Sequence, residues 1–150
     1  QLINNIPLTI TNPEMTRFMM TLENAIELVL YAFENGESGD IFVQKAPSST
    51  IGQLAAIMKK IFKSKSVIKN IGIRHGEKMH ETLLSKEERL VSEDLGNYFR
   101  IPSDNRDLNY EKYFDKGLKI DSPEEFNSFN TERLSNESLM NLLASPGYKS

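Results

Sequence analysis

Residues 71–85, IGIRHGEKMHETLLS, form the stretch around which the chain can be organised. The apolar lead of Val67, Ile68, Ile71 and Ile73 stops at Arg74-His75-Gly76-Glu77-Lys78, then resumes as a mixed segment through Met79, Leu83 and Leu84. An apolar run bounded by a glycine turn predicts a short buried strand whose end opens onto a charged loop. That loop offers a guanidinium, an ammonium and a carboxylate close together. A phosphate-bearing sugar ligand needs this mixture: cations for phosphate oxygens and a carboxylate for hydroxyl donors.

The totals bound the rest. A chain of 150 residues, 39% hydrophobic with a formal charge of -3, is long enough for a soluble domain with a sizeable core. A mildly acidic balance gives no general attraction for nucleic acid, so any anion site must be a local basic cluster. The absence of cysteine excludes disulfides and thiolate metal sites, and cytoplasm is the expected compartment. No apolar run reaches the roughly 18 residues that a membrane span needs, and the opening QLINNIPLTI has no signal-peptide pattern. The opening reads as the continuation of something already under way, so part of a longer enzyme is expected.

Leu8–Ile10 is predicted as an edge strand or extended loop, and Asn12-Pro13 as a turn. Thr21 is a good N-cap for a helix over Leu22–Asn35, with Leu22, Ala25, Ile26, Val29, Leu30 and Phe33 predicted inward, Glu23, Glu27 and Glu34 outward, and Gly36 as the stop. Residues 40–44 read as a strand. Ser48-Ser49-Thr50 then caps a second helix whose stripe is Ile51, Leu54, Ala55, Met58, Ile61 and Phe62. Lys59, Lys60, Lys63 and Lys65 at its end are either a polyanion patch or a solvated helix end that complements the dipole. Residues 86–94 are predicted helical, 96–102 a strand, 103–119 an extended arm, and 124–133 are ambiguous. Ser135 caps a last helix carrying Leu139, Leu142 and Leu143, ended by Pro146-Gly147. The fold class is α/β with a small sheet of at most three or four strands, divided into residues 1–102 and an extension over 103–150 that docks on the same domain or on a partner.

Arg17, among Met15, Phe18 and Met19, either presents its fork to an anion or packs its stem on the core with its head in water. Arg74 and Glu77 either face one ligand space, Gly76 letting the backbone fold back, or form a surface ion pair. His75 and His80 do not have the spacing of an HExxH metal site, and His80 reads as a surface or packing residue. No GxGxxG, GxSxG or P-loop occurs, nor an aromatic-and-basic alternation that would stack bases. Binding types are present without a visible reaction centre.

Three stretches together carry a resemblance: residues 7–18 (PLTITNPEMTRF), 40–45 (DIFVQK) and 72–81 (GIRHGEKMHE). They resemble the C-terminal half of capsular-polysaccharide nucleotide-sugar enzymes of the CapD type, in the extended short-chain dehydrogenase/reductases. Residues 106–110 (RDLNY) and 130–134 (NTERL) are similar to the same branch. The resemblance implies a UDP-glucose 4-epimerase or a UDP-N-acetylglucosamine 4,6-dehydratase/5-epimerase. It implies an N-terminal Rossmann domain, absent from this chain, that binds NAD or NADP and carries the Tyr-x-x-x-Lys couple. It further implies that the smaller C-terminal domain closes over a UDP-sugar, with Arg17 and Arg74 on the two phosphates, Glu77 on the ribose hydroxyls and Thr9 on the uracil side. The full-length enzyme is expected to be a homo-oligomer active in capsule or surface polysaccharide biosynthesis, without nucleic acid or membrane partners. The fragment alone is expected to be inactive and to hold no cofactor of its own. A non-catalytic nucleotide-sugar binding module is the contrasting class; a glycine-rich fingerprint encoded upstream separates the two.

Overall fold

The computed structural model describes residues 1–103 and 124–144. In chain order these form β1 (Leu8–Ile10), β2 (Thr16–Phe18), α1 (Leu22–Asn35), β3 (Ile41–Gln44), β4 (Ser48–Thr50) and α2 (Ile51–Ile61). There follow β5 (Ile68–Asn70), β6 (Thr82–Leu84), α3 (Lys86–Val91), β7 (Glu93–Asp94), β8 (Tyr98–Ile101), β9 (Phe126–Asn127) and α4 (Asn136–Ala144). Helices and strands are therefore mixed, and the largest sheet among the described residues has three strands. The extended arm expected over 103–119 and the Pro146-Gly147 stop lie, but for Ser103, outside the described residues.

Two compact units interleave along the sequence: Gln1–Ala25, Ala46–Glu81 and Asn127–Ser150 form one, Ile26–Lys45 and Thr82–Phe126 the other. In the first, β1 runs parallel to β5, with Thr9 opposite Lys69, and β2 runs antiparallel to β4, with Arg17 opposite Ser49. Thr50 caps α2 by accepting from the Gln53 amide, so helix and strand share a residue boundary. The Gln53 side chain then reaches the Leu134 carbonyl at 2.8 Å, tethering the approach to α4. Met15, Ala46, Ala55, Ile57 and Leu139 are buried here.

The strand predicted to lead into residues 74–78 differs from expectation. It ends at Asn70, and every residue of β5 is exposed, as are Ile71 and Ile73. A parallel strand is buried only when both faces are covered; among the described residues β5 pairs with β1 alone.

In the second unit β3 and β7 flank β8, all antiparallel. Asp40 is its hub. The carboxylate, 2% exposed, meets Arg100 Nε at 2.7 Å and accepts the amides of Glu37 at 2.9 Å and Ser103 at 3.1 Å. Arg100 also pairs with Glu93 at 3.4 Å, so one guanidinium joins the turn before β3 to both neighbouring strands. Residues 86–94, expected as one helical piece, divide instead. Ser85 and Glu88 form a reciprocal capping box that starts α3, and the chain is extended again from Ser92.

α1 starts and ends where predicted, Thr21 Oγ1 accepting the Asn24 amide at 3.1 Å. Its orientation is the correction. No α1 residue is buried, and the predicted inward residues Leu22, Ile26, Val29, Leu30 and Phe33 are exposed. Tyr31 packs instead, its ring 5.8 Å from Phe42 and 4.4 Å from Tyr98. Aromatic contacts to the neighbouring strands decide which side of an apolar helix turns inward.

Two outcomes follow. A Cβ at Gly52 would meet Pro13 Cβ at 2.9 Å and its carbonyl oxygen at 3.1 Å. Gly52→Ala gains about 1 kcal/mol of helix propensity but loses about 1–3 kcal/mol to overpacking, so thermal unfolding should show a net loss. The Glu37 amide, then Arg100, hold the Asp40 carboxyl below its ordinary value of 3.8. A depressed carboxylate stabilises the fold above that ordinary value, and the contribution disappears as pH falls through the lower folded value. Asp40→Asn should therefore flatten the acid limb of a stability–pH profile; an unchanged limb would count against the hub.

Candidate functional site

Residues 74–77 form a closed turn. The Arg74 amide donates to Glu77 Oε2 at 3.0 Å, and the Glu77 amide donates back to the Arg74 carbonyl at 3.1 Å. Gly76 sits at φ +86°, and no atom lies within 4 Å of where its Cβ would be. Backbone conformation, not space, is what demands glycine there. Glu77 thus holds its own turn with one carboxylate oxygen. The Arg74–Glu77 ion pair does not form, and among the described residues the exposed Arg74 guanidinium has no partner.

Arg17 behaves differently. Its Nη1 donates to the carbonyl of Thr16 at 2.7 Å and, more weakly, of Met79 at 3.4 Å; Nη2 donates to the Lys78 carbonyl at 3.1 Å, and Nε lies 3.3 Å from Glu81 Oε1. Neither sequence reading describes this. The head is neither an open fork nor a solvated charge; it clamps β2 onto residues 78–81. Thr9, exposed on β1, exchanges hydrogen bonds with the Gln1 side chain at 3.1 and 3.2 Å.

The clamp is backed by a buried hydroxyl pair. Thr16 Oγ1 lies 2.6 Å from Ser128 Oγ and 2.8 Å from His80 Nδ1. Ser128 Oγ donates to the Thr16 carbonyl at 3.1 Å and accepts the Glu81 amide at 2.8 Å. One arrangement satisfies every group: Ser128 donates to that carbonyl, Thr16 donates to Ser128, and His80 carries its proton on Nδ1 and donates to Thr16. His80 also packs its ring 4.8 Å from Phe129. The packing role read for His80 therefore holds, and its partner is Thr16.

Sequence reasoning missed Thr16 and Ser128. They are 112 residues apart, both small hydroxyls, and no spacing or motif links them. The first unit also has apolar clefts of about 160 and 210 Å³, one lined by Leu2, Leu8, Ile10, Leu54 and Met58. Neither presents a charged side chain, so neither suits a phosphate.

Residue types, turn and clamp can be set beside known proteins. Proteins named UDP-glucose 4-epimerase from Rickettsia bellii are 55% identical over 149 residues, 99% of this chain and 44% of the relative. The Rickettsia felis protein of that name is 54% identical over 142 residues, 94% of this chain and 42% of its own length. The X-ray structure of Pen from Bacillus thuringiensis superposes with a TM-score of 0.73 at 32% identity, over 93% of this chain and 40% of that one. The chain thus spans less than half the length of these proteins. Residues 104–147 match the family described as polysaccharide biosynthesis protein C-terminal, and residues 1–103 that described as polysaccharide biosynthesis protein. With two-thirds of its length inside the second match, the chain belongs to the polysaccharide biosynthesis protein family.

Proposed function

We propose that this chain is the nucleotide-sugar-holding part of a UDP-glucose 4-epimerase serving capsule or surface polysaccharide synthesis. The observation that carries the reading is the Arg74 turn: a guanidinium without a partner among the described residues, on a closed loop, within a chain 55% identical to proteins of that name. A guanidinium so held can take two oxygens of one phosphate in a fork, and the turn keeps its base in place before the ligand arrives. Glu77 keeps Oε2 on the Arg74 amide and offers Oε1 to a ribose hydroxyl. Arg17 serves the second phosphate by exchanging the Lys78 carbonyl for a phosphate oxygen, and Thr9 turns to the uracil side when it releases Gln1.

The exchange of hydride at the sugar uses a nicotinamide dinucleotide. Helix α1 follows β2 through Met19-Met20-Thr21, and α2 follows β4 directly, so neither junction has the glycine-rich turn that cradles a pyrophosphate. Among the described residues, these two junctions do not fit the phosphates of that cofactor. This chain's residues bind and orient the sugar nucleotide, and the longer enzyme's NAD or NADP belongs to its other portion. On this reading the isolated chain turns over no UDP-glucose.

The test places this chain in the Rickettsia bellii protein over the matched 149 residues. Truncating one member of a buried charged contact costs about 2–5 kcal/mol, so Arg74→Ala should raise KM for UDP-glucose roughly thirtyfold or more. Arg74→Lys, which keeps the charge without the fork, should fall between. An unchanged KM for Arg74→Ala would sink the assignment.

A further inference from the structure

The lysine-rich end of α2 has no part in the nucleotide-sugar reading. Between Asp40 and Glu77 the chain has no acidic residue, although its formal charge is -3. Lys59, Lys60, Lys63 and Lys65 fall together in that interval, at the last turn of α2 and just beyond it. Lys60, Lys63 and Lys65 are exposed, and among the described residues none of the four is in an ion pair. The helix dipole accounts for Lys59 and Lys60 in the last turn, and its field falls off within that turn.

The backbone sets Lys63 apart. Its amide donates to the Lys60 carbonyl at 3.2 Å, and the Ser64 amide donates to the Lys59 carbonyl at 3.0 Å. This is the paired closure in which the residue after the C-cap, here Phe62, turns left-handed. Glycine fits that position without strain, and Lys63 occupies it at φ +49°. An exposed cation kept in a strained conformation points to a use outside the fold.

Beside the lysines the surface is apolar. Phe62, 46% exposed, and Ile3, 77% exposed, line one cleft of about 210 Å³ with Leu2, Leu8 and Met58. Met58 and Phe62 are one turn apart on α2, and Lys59 and Lys63 follow each of them by one position. Cations beside exposed apolar side chains match an anionic lipid surface, with phosphates outside and acyl chains just beneath. A nucleic acid would satisfy the lysines and leave Ile3 without a partner. A second copy would set lysine against lysine across a two-fold contact.

We propose that the end of α2 is a contact for an anionic membrane surface. Lys59, Lys60, Lys63 and Lys65 hold lipid headgroups while Phe62 and Ile3 enter the acyl boundary. The contact is peripheral; among the described residues no helix is long and apolar enough to cross a membrane. The expectation of no membrane partner came with the family resemblance, and this surface argues against it. None of these residues belongs to the Arg74 turn or the Arg17 clamp, so the contact stands apart from the ligand that site holds.

The test uses the same Rickettsia bellii chimera with vesicles of phosphatidylglycerol and phosphatidylcholine in equal amounts, and with vesicles of phosphatidylcholine alone. The chimera should sediment with the first and not the second, and about 0.5 M salt should release most of it. Lys63→Gly suits the left-handed turn, so it should bind these vesicles about fivefold more weakly while melting no lower than the parent. Lys60→Gln should lose a similar factor, whereas Lys86→Gln, the same loss of charge beside Glu87, should lose less than about twofold. Phe62→Ser should weaken binding at least about threefold. Equal sedimentation with both vesicles overturns the proposal, as does none with the anionic ones, the result for a patch covered by the longer protein or a second copy. Binding unchanged in Lys63→Gly overturns it too, and binding unchanged in Phe62→Ser does so by assigning the lysines to soluble polyanions.

Discussion

The seam between β2 and residues 78–81 is the constraint on which the candidate site rests. Main-chain pairing begins it, the Thr16 amide donating to the Met79 carbonyl at 2.9 Å. Arg17 reinforces it from the surface and the Thr16–Ser128–His80 hydroxyl chain from inside. Thr16 and Ser128 are fully enclosed, and an unpaired hydroxyl there costs about 1–3 kcal/mol, so each group fixes the others. The Arg74 turn is upstream on the same strand of chain. Its base is therefore held at one end by β5 and at the other by this seam.

Among the described residues Arg17 is engaged by carbonyls and Arg74 has no partner. Arg17 is 27% exposed at its side chain and surrounded by acceptors, so its charge is neutralised where it lies. Arg74 is exposed on a turn closed by backbone and by Glu77, and among the described residues its guanidinium has no partner. In the other unit the same economy recurs: Arg89 and Lys45 lie over the Phe99 ring at 4.1 and 4.4 Å while Arg100 is consumed by carboxylates.

Local signals were legible in the sequence, and long-range ones were not. Caps at Thr21, Thr50 and Ser135 placed three helices, because each is a contact across three residues. The side of α1 that turns inward could not be read, because it is apolar on two faces and Tyr31 outcompetes Ile26 through partners on β3 and β8. The exposure of Ile71 and Ile73 has a similar cause: an apolar run signals burial against something, without saying that it lies within the same stretch of chain. Arg74, Glu77 and Gly76 stood out because turn chemistry is local. Arg17 stood out as well, but two of its three carbonyl partners lie 61 and 62 residues away, beyond any pattern in MTRF.

The most direct measurement of the central claim is hydrogen exchange over residues 74–81 of this chain joined to the Rickettsia bellii protein, with UDP and with uridine added separately. A diphosphate gripped by the Arg74 turn predicts slower exchange at residues 74–77 with UDP and no change there with uridine. Unaltered exchange in that turn at saturating UDP, or equal slowing by uridine, would contradict the account.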